Sequence, residues 1–454
     1  MKPKLDWSAY DSYGAVDAYS QIPAPAGAYS KAVAVCLGNR QCQRTEKGVM
    51  CPSFRVSNEV KHSTQHRAAT IKAALNGEFG EHPFIGTELA DAMDLCVGCK
   101  GCKLECPNGV DMALLRTEVL AQRWIGLGRV PLRVRLFAYV PRFAKYLRRF
   151  NWLVTVRNKI PLVAWAMERG MGIAAKRSLP KTAARDFLST QPNTVQVREN
   201  AREVVLLVDT FSNYFDPQIA QAALEVLQAA GYAVHVAQAA SGERPLCCGR
   251  TFLSNGLIDE ARAEAVRMLD ALWPFVERGL PIIGLEPSCL LMLRDEYHAL
   301  DLGERVAAIS KSALLLEEFL ARENDAGRLE LKFKPLPGKV LVHGHCHQKA
   351  FGAMKAMRKV LGLVPEMQFE FIESSCCGMA GSFGMEVEHY EVSMQMGELS
   401  LLPQVRAASS DVRVIANGTS CRHQIRDGAM RESQHLAQLL QLAIGAKNEW
   451  LSHS

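Results

Sequence analysis

Between residues 203 and 445 the apolar residues fall into short runs, each followed by a longer stretch in which they recur every three or four positions. Such runs predict buried strands, and such stretches predict helices with one apolar face. The order is strand 204–208, helix 217–230, strand 232–237, helix 258–278 and strand 281–286. After about 130 residues it repeats as strand 340–343, helix 353–361, strand 367–372, helix 390–407 and strand 412–416. A repeated strand-helix alternation predicts two open α/β halves with mainly parallel strands.

Ahead of this region the pattern changes. Residues 62–75 combine helical apolar spacing with a high alanine content. From 121 to 200 basic and apolar residues alternate, as in Arg133, Arg135, Phe137, Tyr139, Arg142, Phe143, Lys145 and Tyr146, and Pro131, Pro141 and Pro161 divide the stretch into short helices. We expect a positive, amphipathic connector there. No run reaches the ~18 apolar residues that a membrane span needs. The nearest candidate, 152–175, is broken by Arg157, Lys159, Pro161, Glu168 and Arg169.

Length and charge refine this plan. With 454 residues, 48% of them hydrophobic and 22% charged, the chain is long enough for several globular units. We expect a small module over 1–120, the connector over 121–200, and a duplicated domain over 201–454 with halves of about 201–335 and 336–454. The net charge of +6 is uneven, because residues 116–185 hold sixteen Lys and Arg against Glu118 and Glu168, and the remainder is net acidic. The basic stretch is either a solvated face or a surface for anionic lipid head groups or an acidic protein. No nucleic-acid-binding module accompanies the charge, so nucleic acid is not an expected partner. Residues 1–7 contain no apolar signal core, so the fourteen cysteines are expected to be reduced and the chain cytoplasmic, with the inner face of the membrane as a place of peripheral attachment.

The cysteines carry the chemistry. Cys96, Cys99, Cys102 and Cys106, followed by Pro107, have the spacing CxxCxxCxxxCP, in which three thiolates curl around one [4Fe-4S] cluster and the fourth serves a neighbouring one. Zinc modules more often pair two CxxC knuckles across a longer loop. A related run precedes it, Cys36 and Cys42 followed by Cys51-Pro52, with Asn39 where the central cysteine would fall. In a two-cluster arrangement Cys96, Cys99, Cys102 and Cys51 hold one complete cluster. Cys36, Cys42 and Cys106 form a three-cysteine site, leaving open a [3Fe-4S] cluster, an Asn39 or water ligand, or an unfilled iron site. The plain alternative is that Cys36 and Cys42 are small buried residues.

In the repeated region the cysteines follow strands: Cys346 within His343-Gly-His-Cys-His347, the pair Cys376-Cys377 before Gly378, and Cys421. Loops at the carboxyl ends of parallel strands share one edge, so these thiols are expected to meet there, near helix amino termini that favour thiolates. We expect a cluster at this second-half site. The first half keeps Cys247, Cys248 and Cys289 but has Asp209-Thr210 where Cys346 would correspond, so a cluster completed by Asp209 or a histidine and inert packing stay open. His343, His345 and His347 are candidates for tuning by hydrogen bonds, with His347 favoured.

The paired Cys-Cys-Gly elements behind a two-cluster module resemble the cysteine-rich (CCG) family, which includes the iron-sulfur subunits of glycolate oxidase and of anaerobic glycerol-3-phosphate dehydrogenase and the CCG-bearing component of heterodisulfide reductase. More closely, the Cys36 to Cys51 run, His62-Ser-Thr, the Cys96 run ending in Asn108-Gly-Val-Asp-Met112, Arg177-Ser-Leu-Pro180, Cys376-Cys-Gly-Met-Ala-Gly381 and Thr419-Ser-Cys421 are similar to the iron-sulfur half of FAD-linked D-lactate and D-2-hydroxyglutarate dehydrogenases. The resemblance implies the fold class α+β/α/β: an all-helical two-cluster ferredoxin-like module followed by a duplicated open α/β CCG domain. It also implies an electron-transfer role. A separate FAD-binding oxidase or dehydrogenase subunit oxidises a D-2-hydroxy acid, and this chain, not catalytic alone, passes electrons to a quinone or other acceptor. No GxGxxG helix or other flavin element is recognisable in the chain. The alternative is a heterodisulfide-reductase-like thiol/disulfide subunit; Gly418, where a companion to Cys421 would stand, and Asn39 and Thr210, where relatives have cysteine, are the departures from the family pattern.

Overall fold

The computed structural model describes residues 1–13, 27–45, 48–190, 201–240 and 243–445; the expected connector's residues 191–200 and the last nine residues lie outside them. The amino-terminal part is helical, with helices Ala28–Ala34, Pro52–Ser57, Thr64–Leu75, Thr87–Asp94, Gly101–Glu105 and Met112–Leu127. Two starts are fixed by capping: the Ser63 hydroxyl accepts from the His66 amide at 3.2 Å, and Asp111 accepts from the Leu114 amide at 3.1 Å. Buried Glu118 ties down the chain start by accepting from the amides of Lys4 and Leu5, both at 2.9 Å, and from the Trp7 indole at 3.3 Å.

Four short helices follow, Leu132–Ala138, Val140–Leu147, Asn151–Lys159 and Pro161–Met171. Pro131 precedes the first, and Pro141 and Pro161 sit in the opening turns of the second and fourth, where a missing amide hydrogen costs nothing. The connector is anchored at its far end by Arg177, which is fully buried. Its guanidinium donates to the Gly384 carbonyl at 2.9 Å and the Ser393 hydroxyl at 3.1 Å, and pairs with Asp427 at 3.5 Å.

The remainder contains two parallel sheets. The first has strands β1 (Glu203–Leu207), β2 (Ala233–Val236), β3 (Ile282–Gly284) and β4 (Ala313–Leu315) in the order β2-β1-β3-β4. The second has β5 (Gly338–His343), β6 (Met367–Phe371) and β7 (Arg413–Ala416) in the order β6-β5-β7. In both, the first strand lies between the second and third. The halves share one core in which Val204, Leu206, Val340, Val342 and Ile415 pack with helices Pro217–Ala229 and Leu436–Ile444.

Two details differ from the sequence expectation. The expected helix 390–407 is two, Tyr390–Glu398 and Leu401–Ala407, separated where Ser400 leaves the helical conformation (φ −163°) and its hydroxyl donates to the Glu373 carbonyl. Strand β4 is an addition, too short for any periodicity to announce it.

Candidate metal centres

The two cysteine runs of the helical module share a backbone form. Gly38 and Gly98 have φ of 74° and 60°, and Arg40 and Lys100 both have φ of 59°. A left-handed side chain two residues after a left-handed glycine is rare outside glycine-rich turns, and here it recurs at the same place in each run. Cys51, Cys96, Cys99 and Cys102 line one cleft with Pro52, Thr64, Arg67 and Met112. The Thr64 amide donates to the Cys51 sulfur at 3.2 Å. Burial, together with the Asp111 carboxylate, raises the Cys102 thiol well above its ordinary value. Burial disfavours free thiolates here, so such a set of thiols suits a metal group whose positive charge offsets that cost and takes them as thiolates.

Cys36 lies near both Cys42 and Cys106, and the Cys42 thiol also contacts that of Cys51. The Cys51 hydrogen bond outweighs burial and brings Cys42 down to about 7. Asn39 faces this group: its amide nitrogen lies 3.9 Å from the Cys106 sulfur and donates to Asn108 at 3.0 Å.

At the edge of the second sheet Cys346, Cys376, Cys377 and Cys421 converge, all buried. Cys346 opens the helix Cys346–Ala350 and Cys421 lies in the first turn of Thr419–Ala429, so both sit at helix amino termini. The Cys376 thiol hydrogen-bonds with those of Cys346 and Cys377, and Cys421 with Cys377. These bonds, against the effect of burial, hold Cys346 and Cys377 far below the usual thiol range, aided by His345 and His343 respectively.

Each histidine of the 343–347 segment has a different task. His343 Nδ1 meets the Ser374 hydroxyl at 2.9 Å, and the ring also reaches the Cys377 thiol, which it helps to hold down. A ring nitrogen of His343 and the sulfurs of Cys377 and Cys421 all lie within 4.8 Å of one another. A buried imidazole beside two buried thiols fits a bound metal-sulfur centre. His345 caps the Cys346 helix, its Nδ1 accepting from the His347 amide at 3.1 Å. His347, favoured above for tuning, reaches the Cys96 loop: its Nε2 donates to the Gly98 carbonyl at 3.2 Å, and its buried Nδ1 has no hydrogen-bond partner among the described residues. His343 is thus the residue that sequence reasoning underweighted; its place at the last position of a strand was the available signal.

The first half repeats this geometry in part. Gly249 and Gly378 have φ of 89° and 90°, and their amides point at the sulfurs of Cys247 and Cys376 at 3.3 and 3.5 Å. A Cβ at Gly378 would lie 2.2 Å from the Ser393 carbonyl oxygen, and one at Gly249 would lie 2.9 Å from that of Ala261, so glycine is required at both. The Cys248 thiol contacts those of Cys247 and Cys289. Asp209 is already engaged: its carboxylate caps the helix Thr210–Tyr214, accepting from the Phe211 and Ser212 amides at 2.8 and 3.1 Å and from the Ser212 hydroxyl at 2.7 Å. Burial and neighbouring Glu286 push it up to about 6.

The Cys96 loop touches both halves. Beside the Gly98 contact, Lys100 is buried and pairs with Asp111 at 3.2 Å, Glu296 at 3.0 Å and Asp295, while Arg250, which follows the first Cys-Cys-Gly, meets Glu296 at 2.6 Å. The sulfur of Cys99 is close enough to Cys346 for each charge to be felt by the other.

Buried thiol groups on a helical module, meeting others at the edge of parallel sheets, define an iron-sulfur protein. The comparisons agree: residues 32–110 match the family described as 4Fe-4S dicluster domain, and residues 340–426 match the cysteine-rich domain. Residues 32–110 and 340–426 are thus similar to a 4Fe-4S dicluster domain and a cysteine-rich domain, and the chain resembles iron-sulfur proteins that carry a CCG domain. It is similar to a subunit of the anaerobic glycerol-3-phosphate dehydrogenase of Escherichia coli K12, 29% identical over 301 residues that cover 65% of this chain and 73% of the relative. It is also similar to D-2-hydroxyglutarate dehydrogenase of the same strain, 23% identical over 89% of this chain but only 43% of that relative. Lactate utilization protein A of an Exiguobacterium species is 25% identical over 53% of this chain and 95% of its own length. The two domains indicate 4Fe-4S clusters and support an electron-transfer role.

Proposed function

We propose that this chain is the electron-transfer subunit of a flavin-dependent D-2-hydroxy-acid dehydrogenase, of the D-lactate, glycolate or D-2-hydroxyglutarate class, working with a separate FAD-binding subunit. The carrying observation is the junction at Gly98, Cys99, Cys346 and His347, where the helical module's cluster loop rests directly on the sheet-edge thiols. Cys51, Cys96, Cys99 and Cys102 hold one 4Fe-4S cluster, and Cys346, Cys376, Cys377 and Cys421 hold another. Cys36, Cys42 and Cys106, with Asn39 beside them, form a three-cysteine site, and Cys247, Cys248 and Cys289 a further one. Bound clusters supply one-electron steps; the chain's residues hold them, bury them and keep them near one another.

Gly418 argues against the heterodisulfide-reductase-like alternative. A Cβ there would lie 2.4 Å from His345 Cδ2, so the ring fills the space a fifth cysteine would need.

The connector supports docking at a membrane surface. No helix of the described residues is long and apolar enough to span a bilayer. Leu132, Trp152, Leu162 and Trp165 are nevertheless 73, 61, 71 and 53% exposed among the connector's basic residues, which suits insertion beside anionic head groups near a quinone.

The test is reconstitution with a flavin dehydrogenase encoded beside this chain. Cys99→Ser should abolish hydroxy-acid-driven reduction of a quinone while leaving flavin reduction intact. Unchanged quinone reduction would refute the role.

A further inference from the structure

A cleft of about 540 Å³ opens beside the second-half thiols, between the helix Met354–Gly362 and the edge strand β6. Its floor is apolar, formed by Met354, Phe371 and Ile372, and its rim is cationic, formed by Lys349, Lys355, Arg358 and Lys359. That volume falls within the range of small-molecule sites.

The rim has charge to spare. Lys359 is neutralised by Asp325 at 2.6 Å. Lys355 and Arg358 are exposed and have no ion pair among the described residues, and the Arg358 guanidinium lies over the Phe371 ring, 4.6 Å from its centroid. A flat guanidinium on an aromatic face presents a second flat surface on which a ring can stack.

The inner wall is Lys349. Its ammonium donates to the Ser374 hydroxyl at 3.0 Å and to the Ser374 and Ser375 carbonyls, in the turn just before Cys376. The charges of Cys346, Cys421, Cys376 and Cys377 all act on it. Lys349 therefore links the wall of the cleft to the turn that leads into Cys376. Gly344 completes the wall, where a Cβ would meet Met354 Sδ at 2.6 Å.

We propose that this cleft is the exit for electrons: it binds a planar electron acceptor with an apolar ring and a negatively charged substituent. The assignment rests on the electron-transfer reading above. A bound quinone takes two electrons, delivered singly from the second-half site, and two protons from solvent, giving the hydroquinone. The electrons originate in the partner's reduced flavin, which returns to its oxidised form with release of two protons. Lys355 and Arg358 bind and orient the acceptor through its charge, and Phe371 and Met354 receive the ring.

The probe is anthraquinone-2,6-disulfonate, and two readouts separate the ideas. Calorimetric titration into oxidised, cluster-loaded full-length chain should show saturable binding, weakened at least tenfold in Lys355→Glu/Arg358→Glu and little changed in Lys72→Glu, an exposed position on the helix Thr64–Leu75. Stopped-flow reoxidation of the dithionite-reduced chain should show the same tenfold rise in half-saturating concentration with this dianion, and no change with neutral duroquinone. Non-saturating reoxidation at equal rates in all three proteins would overturn the cleft while leaving electron transfer intact. A loaded chain that dithionite cannot reduce would overturn the underlying reading.

Discussion

His347 joins the two halves of the electron path: its Nε2 donates to the carbonyl of Gly98, 249 positions away in sequence, at 3.2 Å. Gly98 lies between Cys96 and Cys99, and His347 follows Cys346. Burial lowers the imidazole to about 4, so at neutral pH it is uncharged, and the Gly98 bond places its proton on Nε2.

Replacing His347 by phenylalanine keeps the packing volume and deletes the bond, leaving the half-buried Gly98 carbonyl without this donor. We expect a loss of about 1–2 kcal/mol in denaturant unfolding. The loosened loop should also slow passage of electrons from the helical module to the second-half thiols, read by freeze-quench spectroscopy of the two sites.

His343 is expected to act on potential rather than on stability. An N–H donated toward cluster or cysteine sulfur favours the more negative, reduced state, so His343→Phe should lower the midpoint potential of the second-half site alone. One hydrogen bond of about 1 kcal/mol corresponds to roughly 40 mV for a one-electron couple. A redox titration followed by electron paramagnetic resonance reads it, and an equal shift at every site would argue against a local bond.

Stability should also depend on pH through His389. Its ring stacks on Phe383 at 4.3 Å, with Nδ1 against Glu386 and Nε2 against Asp94, both at 2.9 Å, which ties the helical module to the second half. Burial disfavours its charge, but the two carboxylates win and raise it to about 9. The folded value exceeds the unfolded one of about 6.5, so this contribution is complete below about pH 6.5 and disappears as pH rises through about 9. Melting curves of His389→Gln should be lower and flatter across that window than those of the native chain.

Much of this architecture was legible in the amino-acid pattern. Alternating apolar runs marked β1 to β3 and β5 to β7, and placing cysteines just after strands brought Cys346, Cys376, Cys377 and Cys421 to one edge. The docking of the helical module was not legible, because it depends on long-range pairs: Lys100 with Glu296, Gly98 with His347, Arg177 with Asp427. Side-chain direction was equally hidden. Three histidines at alternate positions look equivalent in sequence, yet one faces the thiols, one caps a helix and one reaches another domain. Gly418 shows the same limit, since only the fold reveals that the His345 ring occupies the adjoining space.

The most direct test is iron and acid-labile sulfide analysis, with electron paramagnetic resonance of the dithionite-reduced chain, on protein purified without oxygen. The account predicts a brown protein whose iron and sulfide exceed the content of a single cluster and whose signals come from at least two interacting centres. It also predicts that Cys377→Ser and Cys99→Ser each remove a different one. A folded, colourless chain free of iron, or one in which both substitutions leave every signal unchanged, would contradict it.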